Sequence, residues 1–117
     1  RGWSYSDILP YFKKSENFER GNDEFRGTDG PLNVADMYEK HELIDAFIGA
    51  GVELGYPQNP DYNGSKQDGF GYYQITQRNG RRESTARAFL NPAKSRKNLT
   101  VESRAHVTKI IFNIIQV

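Results

Sequence analysis

HELIDAFIGAGVELG, residues 41–55, sets Leu43, Ile44, Phe47, Ile48 and Val52 on one stripe at helical spacing. Gly55, with Pro57 just beyond it, supplies the stop. Gly49 and Gly51 inside the stretch would each cost a helix about 1 kcal/mol relative to Ala, so their presence is read as the close approach of another backbone. On either side the apolar pattern changes character. Leu32 to Val34 reads as a short strand leaving the Asp29-Gly30-Pro31 turn, and FGYYQIT (70–76) reads as a strand by its aromatic and β-branched content. A helix set between strands in one short chain predicts an α+β fold.

Toward the N-terminus, Ser4 or Ser6 can cap a helix that places Ile8, Leu9, Tyr11 and Phe12 on one side and Lys13 and Lys14 toward its C-terminal end. Pro10 is then expected in the first turn or at the start of a new one. The run NFERGNDEFRGTDGP (17–31) reads as a loop draped over a surface, and QNPDYNGSKQDG (58–69) as a second long loop. Asn79-Gly80 is a turn signal. After it, GRRESTARAFLNPAK (80–94) lets Ser84 or Thr85 cap a short helix carrying Ala86, Phe89, Leu90 and Ala93, with Asn91-Pro92 opening a further turn. NLTVESRAHVTKIIF (98–112) reads as two strands or one bent strand.

The chain has 117 residues, room for one modest core. Its hydrophobic share is 36% and its mean hydropathy −0.80, which together describe a core-poor chain. Sixteen Lys and Arg against fifteen Asp and Glu leave a net charge of +1, so no global field gathers nucleic acid or anionic lipid. The absence of cysteine excludes a disulfide framework, a thiolate zinc site and a Cys nucleophile. No targeting segment or apolar run of membrane length is read in it. It opens without Met and closes on IIFNIIQV, so both ends read as cut.

Most motifs reduce to ordinary structure. DGFGYYQI (68–75) resembles an aromatic RNA-binding strand, but Asp68 stands where that pattern wants a cation. Gly69-x-Gly71 precedes a strand and lacks a third glycine, so it is not a phosphate cradle. In the calcium-like run from Asp61, the glycine falls too early and Tyr72 occupies the bidentate acid's place, which leaves a solvated turn. His41 reads as a surface or capping residue, and His106 as a strand residue. Glu16, Glu19, Asp23 and Glu24 beside Lys13, Lys14 and Arg20 read as a solvated mixed-charge face. No catalytic residue and no metal ligand is assigned.

Taken in order, GWSYSDILPYFKKSENFE, FRGTDGPLNV, AFIGAGVELGYPQNPDYNGSKQDGFGYYQIT and GRRESTARAFLNPAKSRKNLTVESRAHVTKIIF make the chain resemble an internal segment of the glucose-methanol-choline (GMC) flavoprotein oxidoreductases. Within that family the resemblance is to choline dehydrogenases and related alcohol dehydrogenases. It implies a fragment of a longer enzyme that binds FAD and oxidises a small alcohol by hydride transfer, the fragment starting after the cofactor loop and ending before the catalytic histidine. It also implies a division into part of the substrate domain (1–79), with helices packed on antiparallel strands, a connecting helix (80–98) and strands at the edge of the FAD-binding domain (99–117). Val107 matches the position that holds the FAD adenine through its backbone N–H and C=O. Arg81 and Arg82, followed by the capping residues Ser84 and Thr85, are expected to pair with carboxylates or helix-end carbonyls of the rest of the parent polypeptide, ahead of the FAD pyrophosphate. Two alternatives stand beside this: a flavin photodecarboxylase or lyase on the same fold, and a single-stranded RNA-binding module using Phe70, Tyr72 and Tyr73. The resemblance implies a small alcohol substrate, and no nucleic-acid partner is expected.

Overall fold

The computed structural model describes residues 2–112. Helix α1, Tyr5–Ser15, begins at Ser4, whose hydroxyl accepts from the Asp7 N–H while the Asp7 carboxylate accepts from the Ser4 N–H, a reciprocal capping box. Pro10 lies inside this helix rather than in its first turn. The missing N–H costs one hydrogen bond, and the capped end and the turns beyond it carry the helix through.

Strand β1, Glu16–Phe18, follows directly and pairs with β2, Leu32–Val34, in parallel rather than in the antiparallel manner expected, because the 19–31 loop carries the chain back to the start of β1 before β2 begins. The predicted strand at 32–34 is therefore present, but the loop assigned to 17–31 is shorter than expected, because its first two residues belong to β1. Two glycines make this fit possible: a Cβ at Gly27 or Gly30 would collide with the backbone of Lys13 or Ser15.

Helix α2, Glu42–Glu53, matches the predicted stretch, with His41 as N-cap and Gly55 at φ 91° after its end. His41 Nδ1 accepts from the Leu43 N–H at 3.2 Å, the capping role read for it. Of its two internal glycines only Gly51 meets a neighbour, the Phe70 ring, where an added Cβ would lie 2.6 Å from Cγ; Gly49 faces open space. The stripe is only partly used. Ile48 is buried, whereas Leu43 and Phe47 are 70% and 66% exposed.

The continuous strand expected over 70–76 is absent. Phe70 bridges to Gln58 and Ile75 to Ala35 as isolated pairs, and between them Tyr72 turns its hydroxyl to Asp45 and Gln74 its amide to the Pro60 carbonyl. Side-chain contacts hold the segment where a ladder was predicted. Strands β3, Gln77–Arg78, and β4, Arg81–Arg82, form a two-residue hairpin, so the connector begins as a strand. A five-residue π-helical turn, Ala86–Leu90, then runs into α3, Asn91–Ala93. From 99 to 112 no strand forms, and Val107, Ile110, Ile111 and Phe112 are all at least 74% exposed. A strand needs a partner strand's N–H and C=O groups, and among the described residues the only backbone bond to this stretch is the local turn from the Leu99 N–H to the Arg96 carbonyl. Residues 113–117, which complete the predicted strand run and the proposed FAD-domain edge, lie outside the described residues.

The interior is small and unusually polar. Among the described residues the buried apolar side chains are Phe18, Ala35, Ile48 and Ala88, beside buried Arg26, Asn33, Asn59 and Glu83. Asn33 donates to Glu19 Oε1 at 2.7 Å and to the Gln77 carbonyl at 2.6 Å, tying β2 to β3 and to the residue that follows β1. Arg26 reaches Glu16 at 2.8 Å and Asp61 at 3.1 Å, with its guanidinium 3.9 Å above the Phe18 ring. Asp23 accepts from the Phe25 and Arg26 N–H groups, both at 2.7 Å. Glu16 is thus drawn partly inside, whereas Glu19 and Asp23 keep the exposure expected of a solvated face although they too accept hydrogen bonds. The reason is the fold-back of 17–31, which brings donors onto them.

Candidate functional site

Apart from Val107, the residues singled out by sequence lie on the hairpin and at the entry to the π-helical turn after it. Asn79 and Gly80 take φ 51° and 71°, the double positive-φ geometry that gives a two-residue hairpin the twist of its strands. This turn presents Arg81 and Arg82 on β4, both exposed. Neither forms an ion pair among the described residues.

The acid between them and the turn does. Glu83 is 6% exposed, its N–H donates to the Thr76 carbonyl at 3.0 Å, and its Oε1 accepts from Arg78 Nε at 3.1 Å. Its Oε2 faces Arg87 Nε at 3.7 Å. Arg78 also reaches the Pro31 carbonyl, and Arg87 the Arg82 carbonyl. Glu83 therefore locks the hairpin to the π-turn, and the internal anion is spent on Arg78 and Arg87. Sequence reasoning passed over Glu83, although a lone acid amid four arginines (Arg78, Arg81, Arg82, Arg87) was the available signal.

Ser84, not Thr85, supplies the capping oxygen: the Arg87 N–H donates to Ser84 Oγ at 3.3 Å, whereas Thr85 makes no such bond. The turn closes π-fashion, with the Asn91 N–H on the Ala86 carbonyl. Beyond it Lys94, Arg96 and Lys97 are exposed as well. Between 81 and 97 the one carboxylate is buried and the cations point to solvent, so this end of the fold offers guanidinium and ammonium groups to an anionic partner.

Val107 is 77% exposed, and among the described residues its N–H and C=O have no backbone partner. His106, expected in a strand, is exposed in the same irregular stretch. The structure brings Arg81, Arg82, Ser84 and Thr85 together on one supersecondary unit and leaves Val107 outside regular structure.

The aromatics of 70–73 do not form a stacking platform. Phe70 packs edge-on against Phe47 at 5.4 Å and beside Tyr56 at 5.5 Å, Tyr73 stacks on Tyr62 at 4.6 Å, and Tyr72 is tied to Asp45 at 2.9 Å. Loss of solvation around Tyr72, together with that carboxylate, raises the phenol's pKa. Among the described residues no acid or histidine cluster could hold a metal ion, and no helix is long and apolar enough to cross a membrane.

This arrangement of short strands, loops and helices is that of a known oxidase. Pyridoxine 4-oxidase from Mesorbium loti superposes on 84% of this chain with a TM-score of 0.76 and 35% sequence identity, the match covering 20% of that protein. The GMC oxidoreductase family model matches residues 1–116, and the chain belongs to that family. Among curated relatives it is 47% identical over 111 residues to an oxygen-dependent choline dehydrogenase of Sinorhizobium fredii, covering 95% of this chain and 20% of the relative. It is 44% identical over 112 residues to the mitochondrial choline dehydrogenase of Homo sapiens, covering 96% of this chain and 19% of the relative. The chain thus spans about a fifth of the length of these relatives.

Proposed function

We propose that this chain is part of an FAD-dependent oxidoreductase that oxidises a small primary alcohol, choline or one like it. The observation that carries this reading is the identity of 47% and 44%, along nearly the whole chain, with two proteins named choline dehydrogenase. The match to pyridoxine 4-oxidase keeps other alcohols within reach. When bound, FAD supplies the hydride acceptor, and the protein supplies orientation and a base.

The residues here fit a supporting part in that chemistry. Val107 has an exposed N–H and C=O with no backbone partner, the groups an adenine edge would take up. Arg81 and Arg82 are available to pair with carboxylates of the remaining polypeptide. On this reading 1–79 walls the substrate side, 80–98 connects, and 99–117 enters the FAD-binding part. The dispersed contacts of Phe70, Tyr72 and Tyr73 give the RNA-binding alternative no support.

The test is to purify the full-length protein and titrate it anaerobically with choline. A yellow protein holding one flavin per chain, bleached by choline, is expected. Protein that purifies colourless and takes up no added FAD overturns the proposal, and bleaching by a different alcohol corrects the substrate. The 117-residue piece by itself is expected to be inactive and to hold FAD weakly.

A further inference from the structure

The Asn79-Gly80 turn of the hairpin is open on its reactive side. Both residues are exposed, and a Cβ built on Gly80 would meet nothing within 4 Å. Pairing of Arg78 with Arg81 closes the ladder around the turn and leaves the Gly80 N–H without a backbone acceptor among the described residues. That nitrogen follows an asparagine, so it stands next to the Cγ of a side-chain amide, and glycine brings no Cβ to obstruct its approach. Ring closure between the two atoms needs an Asn79 ψ of about −120°, the value at the first central residue of a type II′ turn. The φ values of 51° and 71° at Asn79 and Gly80 are those of type I′. The two turn types keep the same strand ends and differ by a flip of the one peptide unit between these residues, which glycine tolerates with either sign of φ. The strands need not part.

Asn63-Gly64, the other Asn-Gly pair in the chain, is the internal comparison. Asn63 is exposed too, but its N–H donates to Asp61 Oδ1 at 2.9 Å and the Gly64 N–H donates to the Asp61 carbonyl at 3.2 Å. Asp61 is itself held by the buried Arg26 at 3.1 Å. The nitrogen that would attack there is committed. The charge around the two pairs differs as well. Asp61 lies beside Asn63, whereas Arg78, Arg81 and Arg82 flank the Asn79 turn, and Arg81 and Arg82 form no ion pair among the described residues. Cations at that distance favour an anionic nitrogen and an anionic product.

We propose that Asn79 is a site of spontaneous deamidation and that Asn63 is protected from it. The Gly80 nitrogen gives up its proton and bonds to Asn79 Cγ, and the Cγ–Nδ2 bond breaks to release ammonia, leaving a five-membered succinimide. Water then opens the ring. Cleavage at Cγ gives an ordinary aspartate, and cleavage at the α-carbonyl gives an isoaspartate whose main chain runs through the former side chain. One water is consumed, one ammonia is released and no electron is transferred. Either product sets a carboxylate at the head of the arginine pair and lowers the net charge of +1 by one unit. Isoaspartate also lengthens the turn by one backbone atom, which the Gln77-to-Arg82 register of the hairpin does not accommodate. The new carboxylate competes for Arg81 and Arg82, so the conversion ages the face that this hairpin offers to an anionic partner.

Timed incubation of the full-length protein at neutral and at mildly alkaline pH tests it. Samples are taken until a synthetic peptide of residues 77–83 in the same buffer is half converted, then digested with a protease that spares arginine. Residues 79 and 63 are read by mass spectrometry, and isoaspartate is detected by enzymatic methylation. Acid is expected at residue 79 in both linkages, forming faster at the higher pH because the nitrogen attacks as its anion. Its rate should exceed that at residue 63 by about fivefold or more, the difference that one committed hydrogen bond makes. Conversion at residue 63 that equals or leads that at 79, no acid at residue 79 by the half-time of the peptide, or a rate indifferent to pH overturns the proposal. Peptide masses are the same for yellow and colourless protein, so failure of the flavoenzyme reading leaves this outcome in place.

Discussion

Glu16 Oε1 lies 2.8 Å from Arg26 Nη2, and the arginine is only 2% exposed while the glutamate side chain keeps 19%. The pair joins β1 to the fold-back loop, and Glu16 also accepts the Gly27 N–H through its second oxygen at 3.1 Å. Removing one partner of a buried pair typically costs about 3–5 kcal/mol, and because Asp61 stays with Arg26 at 3.1 Å the lower end of that range applies here. Glu16→Ala is therefore expected to destabilise by that order. Glu16→Gln keeps one of the two acceptor oxygens and is expected to cost less. Urea melts of the full-length protein check this, and equal midpoints for the two variants contradict it.

The two glycines of α2 should respond in opposite directions. At Gly49 an added Cβ meets nothing within 4 Å, so Gly49→Ala gains helix propensity of about 1 kcal/mol. At Gly51 the same atom would press on the Phe70 ring at 2.6 Å, and that ring is already held by Phe47 and Tyr56. Gly51→Ala is expected to lower the midpoint of thermal unfolding while Gly49→Ala raises it. Shifts of the same sign would show that Phe70 is not fixed by its neighbours.

Two groups give opposite pH signatures. The Ser4 hydroxyl and N–H hold the Asp7 carboxyl below its ordinary value of 3.8, so the capping box contributes above that value and is lost as pH falls through the lowered folded-state pKa. Tyr72 is raised above 10.0 by desolvation and by its bond to Asp45, so its tie between α2 and the 71–74 segment holds below that value and is lost as pH rises through the raised one. An NMR titration of the Asp7 side-chain carboxyl should show a midpoint under 3.8 that moves up in Ser4→Ala. Absorbance titration should show late tyrosinate steps for Tyr72 and for Tyr38, whose phenol is raised by its bond to Glu19, and only the Tyr72 step should disappear in Tyr72→Phe. A Tyr72 step at or below that of the remaining tyrosines would refute the second assignment.

Local signals were legible in the sequence, and long-range ones were not. His41, Gly55, Ser4, Ser84 and the Asn79-Gly80 turn could be read because caps and turns depend on a few adjacent residues. The polar interior was hidden. Arg26 meets Asp61 across 35 residues and Asn33 meets Gln77 across 44, and nothing in the spacing separates Glu16, drawn onto Arg26, from its exposed neighbours Glu19 and Asp23. The strand reading of 98–112 rested on composition, and composition does not supply a ladder partner. Of the candidate site, the arginine pair and its cap were found, but the buried Glu83 that organises them was not, because burial of an acid depends on which cations fold over it.

The assignment of Val107 makes a sharper claim than any side-chain substitution could test, since it invokes only backbone groups. A side chain that is 77% exposed and unpacked in this chain can be truncated with little local consequence, so Val107→Ala should leave the flavin content of the full-length protein unchanged. Proline at the same position removes the N–H and fixes φ. If that N–H and the neighbouring C=O hold the adenine, Val107→Pro should lower the flavin-to-protein ratio and weaken FAD rebinding at least tenfold, equivalent to about 1.4 kcal/mol. A neighbouring control, Thr108→Pro, imposes a comparable backbone restriction without deleting the Val107 N–H. Equal loss in both proline variants would reduce the effect to general disruption. Loss in Val107→Ala would place the contact on the side chain, and full flavin content in all three would remove Val107 from the cofactor site.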